Sequence, residues 1–500
     1  MTMWWRSGRS TKESGRDECD AYFIDQIGIS ILKIVRENPK ESVIDFTNGE
    51  QGKKLRQKYM NLMISKDEEV MKQLNDPTVS ARAFPTVTED TPNYVFKSPN
   101  GLLLMTHFAQ PIIIIYEYVA LSCLKFDNPE NDLISNAMFC GHSLGEYCAL
   151  VSLGKILPAS QMAFMCFIRG LVMQTCVPRD PITSVTDYGM AAVSPSRVTP
   201  TFKIEQLREV MKYVANSCGG RLLEIVNYNV YNDQYVVSGE RFCIWQLGMV
   251  LDFVNKNPTA TLLEIKRFCY ANVGTHPRLT TPLEIPRTGA VLQLAGIDVP
   301  FHSSLLRKVV PLFRSFLDAN LPTPTAFDYV NRLDGRYVCN LYSKEIFSIS
   351  REYATTIADL SKSPFLLRAL NTPSGPDSWD ELTPAERARL LLRECLSYQF
   401  ASAVQWIDAQ NTIIKSGVRR VVEIGPAKTL ANMMNKSVLR LKDQGKELAE
   451  MAEIIAGYES TGTGRAGTIE VLSFDTDREL LFRIPDEEQN STDDDEDEED

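Results

Sequence analysis

Gly141-His142-Ser143-Leu144-Gly145-Glu146 places a serine between two glycines, directly after the apolar run Ala137-Met138-Phe139-Cys140. This is the sequence of a nucleophile elbow. A strand ends there and turns sharply into a helix (Tyr147-Cys148-Ala149-Leu150-Val151), which exposes the hydroxyl and aims the first helical amides at its reaction partner. Glycines on both sides are expected to relieve the crowding of the turn. Gly-x-Ser-x-Gly also arises by chance in about one in six chains of this length, and the plain alternative is a loop between strand and helix. The apolar run before it and the helix-like run after it favour the nucleophile.

A serine hydroxyl needs a base, and histidine has the proton affinity for that work near neutral pH. The chain has four histidines, His107, His142, His276 and His302, none spaced as a metal pair, so a structural zinc site is not expected. His302 lies in Val299-Pro300-Phe301-His302-Ser303-Ser304, after a candidate strand and before a helix, where a ring can project from a strand end. A helix-capping or core histidine is the alternative. His142 adjoins the serine, but neighbours on a turn point different ways, which makes it a poor base. His276 precedes a proline in a loop and reads as structural. Arg169 sits inside the apolar helix Phe164-Met165-Cys166-Phe167-Ile168-Arg169-Gly170-Leu171-Val172-Met173. A guanidinium there must snorkel to water or find an anion, because an unpaired buried charge costs several kcal/mol. Its planar fork suits a carboxylate; an arginine on an exposed helix stripe is the alternative.

The elements that must position these groups read as mixed α/β. Apolar spacing over 20–36 and 107–124 fits helices, with Pro111 near a helix start. From Tyr188 to Val299 the texture changes. GMAAVS, LLEIVNYNVYNDQYVVSG and VLQLAGIDV read as strands alternating with helices at 203–216 and 241–256, which predicts a small α/β insertion. Helices return in SSLLRKVVPLFRSFL and AERARLLLRECLSYQF, followed by a strand, VVEIG. Residues 364–384 read as a surface connection, and TIEVLSF-DTD-RELLFRI as two strands around a turn. The expected organisation is a leader (1–19), a first part of the body (20–187), an inserted subdomain (188–299) and a second part of the body (300–455). A C-terminal extension with a β-hairpin (456–484) and a disordered acidic tail (485–500) follow.

At 500 residues, 44 % hydrophobic and 23 % charged, the chain can bury a large core. Its net charge of −11 is local, since residues 486–500 hold eleven acidic groups and no basic one, leaving 53 acidic and 53 basic residues elsewhere. The tail reads as solvated terminus. No basic stripe with interleaved aromatics suggests nucleic acid. Eleven scattered cysteines without Cys-x-x-Cys argue for reduced thiols in the cytosol. The opening MTMWWRSGRSTKESGRDECD has no apolar signal region, and Pro111 to Leu124, interrupted by Glu117, reads as too short to span a bilayer. A soluble, cytoplasmic protein without membrane contact is expected.

GHSLGEYCAL, IRGLVMQTCVPRD, YGMAAVSPSRV, LEIVNYNVYNDQYVVSGE, GIDVPFHSSLLR, LSYQFASAVQW and VVEIGPAKTL, in this order, closely resemble the malonyl/palmitoyl transferase domain of fungal type I fatty acid synthases. Those domains are relatives of bacterial malonyl-CoA:acyl-carrier-protein transacylases. The likeness runs from about residue 16 to about residue 484. It implies an α/β-hydrolase-like acyltransferase body carrying a ferredoxin-like α+β insertion. Ser143 is similar to the acylated nucleophile, His302 to its general base, and Gln399 to the residue whose carbonyl orients the imidazole in place of a triad carboxylate. Arg169 matches the arginine that pairs with the free malonyl carboxylate, and the Leu144 amide an oxyanion donor. Gln110, Asn229 and His142 are counted with the substrate-binding positions. No bound cofactor is implied: CoA thioesters are the substrates and carrier-protein phosphopantetheine the acceptor. Acyl carrier protein and the other synthase domains are the implied partners.

Family members open with a first strand and a Gly-Gln-Gly-Ser-Gln loop that supplies a second oxyanion amide, and MTMWWRSGRSTKES holds no such loop. In many fungal synthases the stretches resembling residues up to about 370 and from about 385 lie on two subunits; here one chain carries both. The reaction implied is ping-pong acyl transfer through an acyl-serine ester, moving malonyl between CoA and the carrier, with palmitoyl or other long acyl groups as further candidates. Two other readings remain open on sequence. An α/β-hydrolase esterase would need an Asp or Glu behind the histidine and has no use for a buried Arg169; a catalytically weakened structural fragment is the third.

Overall fold

The computed structural model describes residues 10–68, 70, 72, 79–127, 137–180, 186–273, 289–418, 420–445 and 469–477. The acidic tail, His276 and RELLFRI fall outside them. The two largest hydrophobic clusters of the described residues lie one in the body and one in the region between Tyr188 and Gln293, with smaller clusters beside them.

The body is mainly helical around short strands. A first helix, Ser10–Ile27, runs across the boundary expected at 19/20. The single helix expected over 20–36 is instead two. Gly28 adopts φ +72°, which only glycine takes without strain, and Ser30 caps a second helix, Ile31–Glu37, by accepting from the Lys33 amide. Strand β1 (Glu41–Asp45) pairs antiparallel with β2 (Asn93–Lys97). The helix Thr106–Asp127 then packs along Ala159–Thr175. Gly170 permits that contact, since a Cβ there would lie 2.5 Å from the His107 Cα. The Thr106–Asp127 helix is longer than its apolar run suggests, and by length and composition Thr106–Leu124 could cross a membrane. Most of it is instead buried within the fold, against the Ala159–Thr175 helix.

Strand β3 (Phe139–Cys140) leads into the Ser143 turn and lies parallel to β8 (Tyr337–Val338), in register Phe139↔Tyr337 and Cys140↔Val338. The inserted region contains β4 (Tyr188–Val193), the helix Ile204–Ser217, the hairpin β5 (Leu223–Val230) and β6 (Gln234–Glu240), the helix Arg241–Lys256, and β7 (Val291–Gln293). The sheet order β5-β6-β4-β7 is antiparallel throughout. A β-α-β-β-α-β chain with that order is ferredoxin-like. An additional helix, Leu262–Asn272, precedes β7, and β7 itself covers only three residues of VLQLAGIDV.

In the second part of the body, Thr383, Pro384 and Glu386 form a capping box that starts the helix Pro384–Gln399. The stretch expected to be a surface connection is partly interior. It opens as the helix Pro364–Asn371, and the Trp379 ring is fully buried, because local polarity does not reveal which long-range face an indole finds. Strand β9 (Arg420–Glu423) pairs parallel with β10 (Glu470–Ser473), so the described half of the expected hairpin joins a distant strand.

Candidate active site

Ser143 is held at φ 52°, a left-handed conformation uncommon for a residue with a side chain and characteristic of strained functional turns. The two glycines beside it are not equivalent. A Cβ on Gly141 would lie 1.9 Å from the Gly145 carbonyl carbon, whereas one on Gly145 would meet no heavy atom within 4 Å. Crowding is therefore confined to the first glycine, contrary to the expectation that both relieve it. The turn opens the helix Gly145–Ala149. The Leu144 amide lies at the start of that helix, where N–H groups point out of the first turn.

The Ser143 hydroxyl lies 2.7 Å from His302 Nε2. His302 is also left-handed (φ 63°), and its amide donates to the Phe400 carbonyl at 2.9 Å. Nδ1 faces two backbone carbonyls, those of Gln399 and Ser402, each at 3.1 Å. Two acceptors on Nδ1 fix the tautomer with the proton there, leaving the Nε2 lone pair for the serine. Among the described residues no carboxylate occupies that place, which is where an esterase triad would put one. Burial, then the field of Arg169, push the imidazole down to about 3, opposed by the Gln399 carbonyl. The resting ring is thus neutral and able to accept a proton.

Arg169 is 1 % exposed, so the snorkelling alternative does not hold. Its terminal nitrogens donate to Gln110 Oε1 at 2.8 Å and to Gln399 Oε1 at 2.7 Å, and Nε has no acceptor among the described residues. The Tyr147 ring centroid lies 5.1 Å away and that of Phe400 6.0 Å. No carboxylate of the chain pairs with it among the described residues. The guanidinium donates to two neutral amide oxygens and feels the Glu146 carboxyl through space without an ion pair to it among the described residues, so N–H capacity remains for an incoming anion. Gln399 links the pieces: its carbonyl meets His302, its Oε1 meets Arg169, and its Nε2 donates to the Ser143 carbonyl at 2.6 Å. Ser143, His302, Gln399, Arg169 and Gln110 therefore form one connected cluster.

His142 and Asn229 lie together on the other side of the turn. His142 Nε2 meets Asn229 Oδ1 at 2.9 Å, and its ring packs edge-on to Trp406. Burial lowers its proton affinity. The strand β5, which carries Asn229, is tied to the loop after Gln399 by Tyr228 N to Val404 O and Val404 N to Val226 O. An open groove of 210 Å³ reaches His302 and is lined also by Glu224, Ser304, Arg307, Leu341 and Ser402.

Three contributors were not anticipated. Asn340 accepts the Ser143 amide on Oδ1 at 2.7 Å and donates through Nδ2 to the Gly141 carbonyl. Glu146 Oε1 accepts from the Asn340 amide at 3.1 Å and from the Tyr337 hydroxyl. Ser402 supplies the second carbonyl to His302. A signal for Asn340 does exist: it closes the short apolar run Tyr337-Val338-Cys339, and functional groups gather at the carboxyl ends of parallel strands.

The acyl transferase domain family matches residues 13–326. "Fatty acid synthase 2" of Mycosarcoma maydis is 35 % identical over 434 residues, covering 84 % of this chain and 11 % of that protein. "Fatty acid synthase subunit beta" of Schizosaccharomyces pombe is 36 % identical over 381 residues, covering 73 % and 17 %. The subunit of the same name from Saccharomyces cerevisiae is 34 % identical over 366 residues, covering 69 % and 17 %. The chain thus spans between 11 % and 17 % of the length of these relatives.

Proposed function

The chain belongs to the acyl transferase domain family, and from that premise we propose that it transfers malonyl groups from CoA to the phosphopantetheine thiol of an acyl carrier protein through a Ser143 ester. The observation that carries this reading is a serine hydroxyl in contact with a neutral histidine, linked through Gln399 to a buried arginine that forms no ion pair with a carboxylate among the described residues. Arg169 offers a site for an acyl group that brings its own carboxylate.

His302 Nε2 takes the Ser143 proton as Oγ attacks the thioester carbonyl. The carbonyl π pair moves onto oxygen, where the Leu144 N–H donates to it. Collapse of this adduct breaks the C–S bond, and His302 returns the proton to the leaving CoA sulfur. The carrier thiol then attacks the serine ester by the same steps in reverse. The malonyl carboxylate also assists the base. It neutralises Arg169, whose field depresses His302, so substrate binding raises the proton affinity of the ring when the proton must be taken. The groove beside His302 suits the approach of a pantetheine arm, and the partners are an acyl carrier protein and the remaining domains of a fatty acid synthase. Longer acyl groups, palmitoyl among them, are further candidates for the same serine.

Intact-protein mass spectrometry after mixing with malonyl-CoA tests the reading. A malonyl increment that is absent from Ser143→Ala is the expected result. No adduct, or one that survives the substitution, refutes it.

A further inference from the structure

The conformation that aims the Ser143 hydroxyl at His302 is not self-sustaining. Left-handed backbone at a residue with a Cβ persists only where its surroundings over-determine it. The flanking glycines do not do so, since Gly145 lies in open space and Gly141 only relieves a clash. Two polar backbone groups of the turn, the Ser143 N–H and the Gly141 C=O, point inward, and a single side chain meets both.

We propose that Asn340 is the positioning residue of the nucleophile: its amide clamps Ser143 N–H and Gly141 C=O together, and Glu146 holds Asn340 in that pose. The chemistry requires a carboxamide. A neighbouring N–H and C=O, side by side, need one acceptor and one donor on the same planar group. A carboxylate would repel the Gly141 oxygen, and an apolar side chain would satisfy neither. Oδ1 meets the Ser143 amide at 2.7 Å and Nδ2 meets the Gly141 oxygen. Asn340 is fixed in turn from its own backbone, whose N–H donates to Glu146 Oε1 at 3.1 Å beside the Tyr337 hydroxyl. Glu146 is three residues past Ser143 on the helix that the elbow starts, so the contacts close a ring between the end of β8 and the first turn of that helix. Asn340 and Glu146 are both buried, which keeps water from competing for these bonds. Because Asn340 takes the Ser143 amide, that amide is not available to an oxyanion, and the duty passes to Leu144.

The inference rests on Ser143 being the nucleophile, and its test separates the two. In the full chain, Asn340→Ala, Asn340→Asp and Glu146→Gln are compared with the parent. The readouts are the rate of Ser143 labelling by a fluorophosphonate, kcat and KM for malonyl transfer from CoA to a carrier protein, and thermal melting. For Asn340→Ala the labelling rate and kcat are each expected to fall about 30-fold or more, with KM for malonyl-CoA within about twofold of the parent. Glu146→Gln replaces the carboxylate that accepts from the Asn340 amide and the Tyr337 hydroxyl by a weaker neutral acceptor, so both rates should fall, by less than in Asn340→Ala. Asn340→Asp keeps the acceptor for Ser143 but can donate to Gly141 only when protonated. Glu146 faces it from the elbow helix and Tyr337 from β8, with Arg169 beyond Glu146 and His302 across Ser143. Its labelling rate, relative to the parent, should therefore recover as pH falls.

Unchanged labelling in Asn340→Ala, a fall no larger than the loss of folded protein, a rise in KM at constant kcat, or a flat relative pH profile for Asn340→Asp would each overturn the proposal. A parent that labels with fluorophosphonate and responds to Asn340→Ala, yet takes no malonyl, would refute the substrate reading and leave the clamp standing.

Discussion

Replacing Arg169 by alanine removes the only charged group in the cluster that a substrate carboxylate could answer, and the structure sets the size of the effect. The guanidinium is 1 % exposed and donates to Gln110 and Gln399 at 2.8 and 2.7 Å, so an arriving malonyl carboxylate would form a desolvated pair. Breaking a buried pair by deleting one partner costs about 3–5 kcal/mol. At about 1.4 kcal/mol per decade this is a loss of roughly 150-fold to several thousandfold in kcat/KM for malonyl-CoA. Acetyl-CoA has no carboxylate to lose. Its transfer should hold or improve, since the deletion opens space beside the Tyr147 and Phe400 rings. The two glutamine oxygens lose their donor, at about 1–3 kcal/mol each, so melting must be measured alongside. Single-turnover acylation of Ser143 with each thioester, followed by intact mass, separates these effects. A parallel fall for malonyl and acetyl would show that Arg169 is structural and would refute the reasoning.

His302→Ala should lower Ser143 acylation by about three to four orders of magnitude, read in the same single-turnover assay. Gln399→Ala should cost less than His302→Ala, because the backbone carbonyl that faces Nδ1 survives while the side-chain bonds to Arg169 and the Ser143 carbonyl are lost. The imidazole of His302, pushed down to about 3 by burial and Arg169, should stay neutral well below the ordinary histidine range. In a ¹⁵N NMR titration, with the resonance assigned by its loss in His302→Ala, protonation should begin only as pH approaches that value; Arg169→Ala should move it upward, since a nearby positive charge is removed. Gly145→Ala should leave malonyl transfer and melting nearly unchanged, whereas Gly141→Ala should abolish transfer, because its methyl would overlap the Gly145 backbone.

How far the molecule could be read from its sequence depended on the range of the contacts concerned. The elbow was visible because a strand, a sharp turn and a helix are specified within a dozen consecutive residues. The ferredoxin-like region announced itself through alternating apolar residues and two amphipathic helices, each a local pattern. Arg169 stood out because a charge inside so apolar a helix must find an answer somewhere. By contrast, Gly28 splits a helix whose apolar spacing continues straight through the break. Trp379 is buried in a stretch rich in Pro, Ser and Asp, and β10 pairs with β9, some fifty residues away in sequence, instead of folding into a local hairpin.

Side-chain identity and local periodicity, which are properties of the sequence itself, determined the family likeness, the reactive serine and its small set of possible bases. What only the tertiary structure decided is which atoms meet. Ser143 and His302 are 159 positions apart, Ser143 and Asn340 197, and Ser143 and Gln399 256. No local rule relates groups so distant. The second carbonyl on His302, the neutral oxygens that hold Arg169, and the asparagine across the elbow are set by the packing of whole helices and strands. A hydrogen bond tolerates only a few tenths of an ångström in its distance, and that precision exists only once the cores have closed.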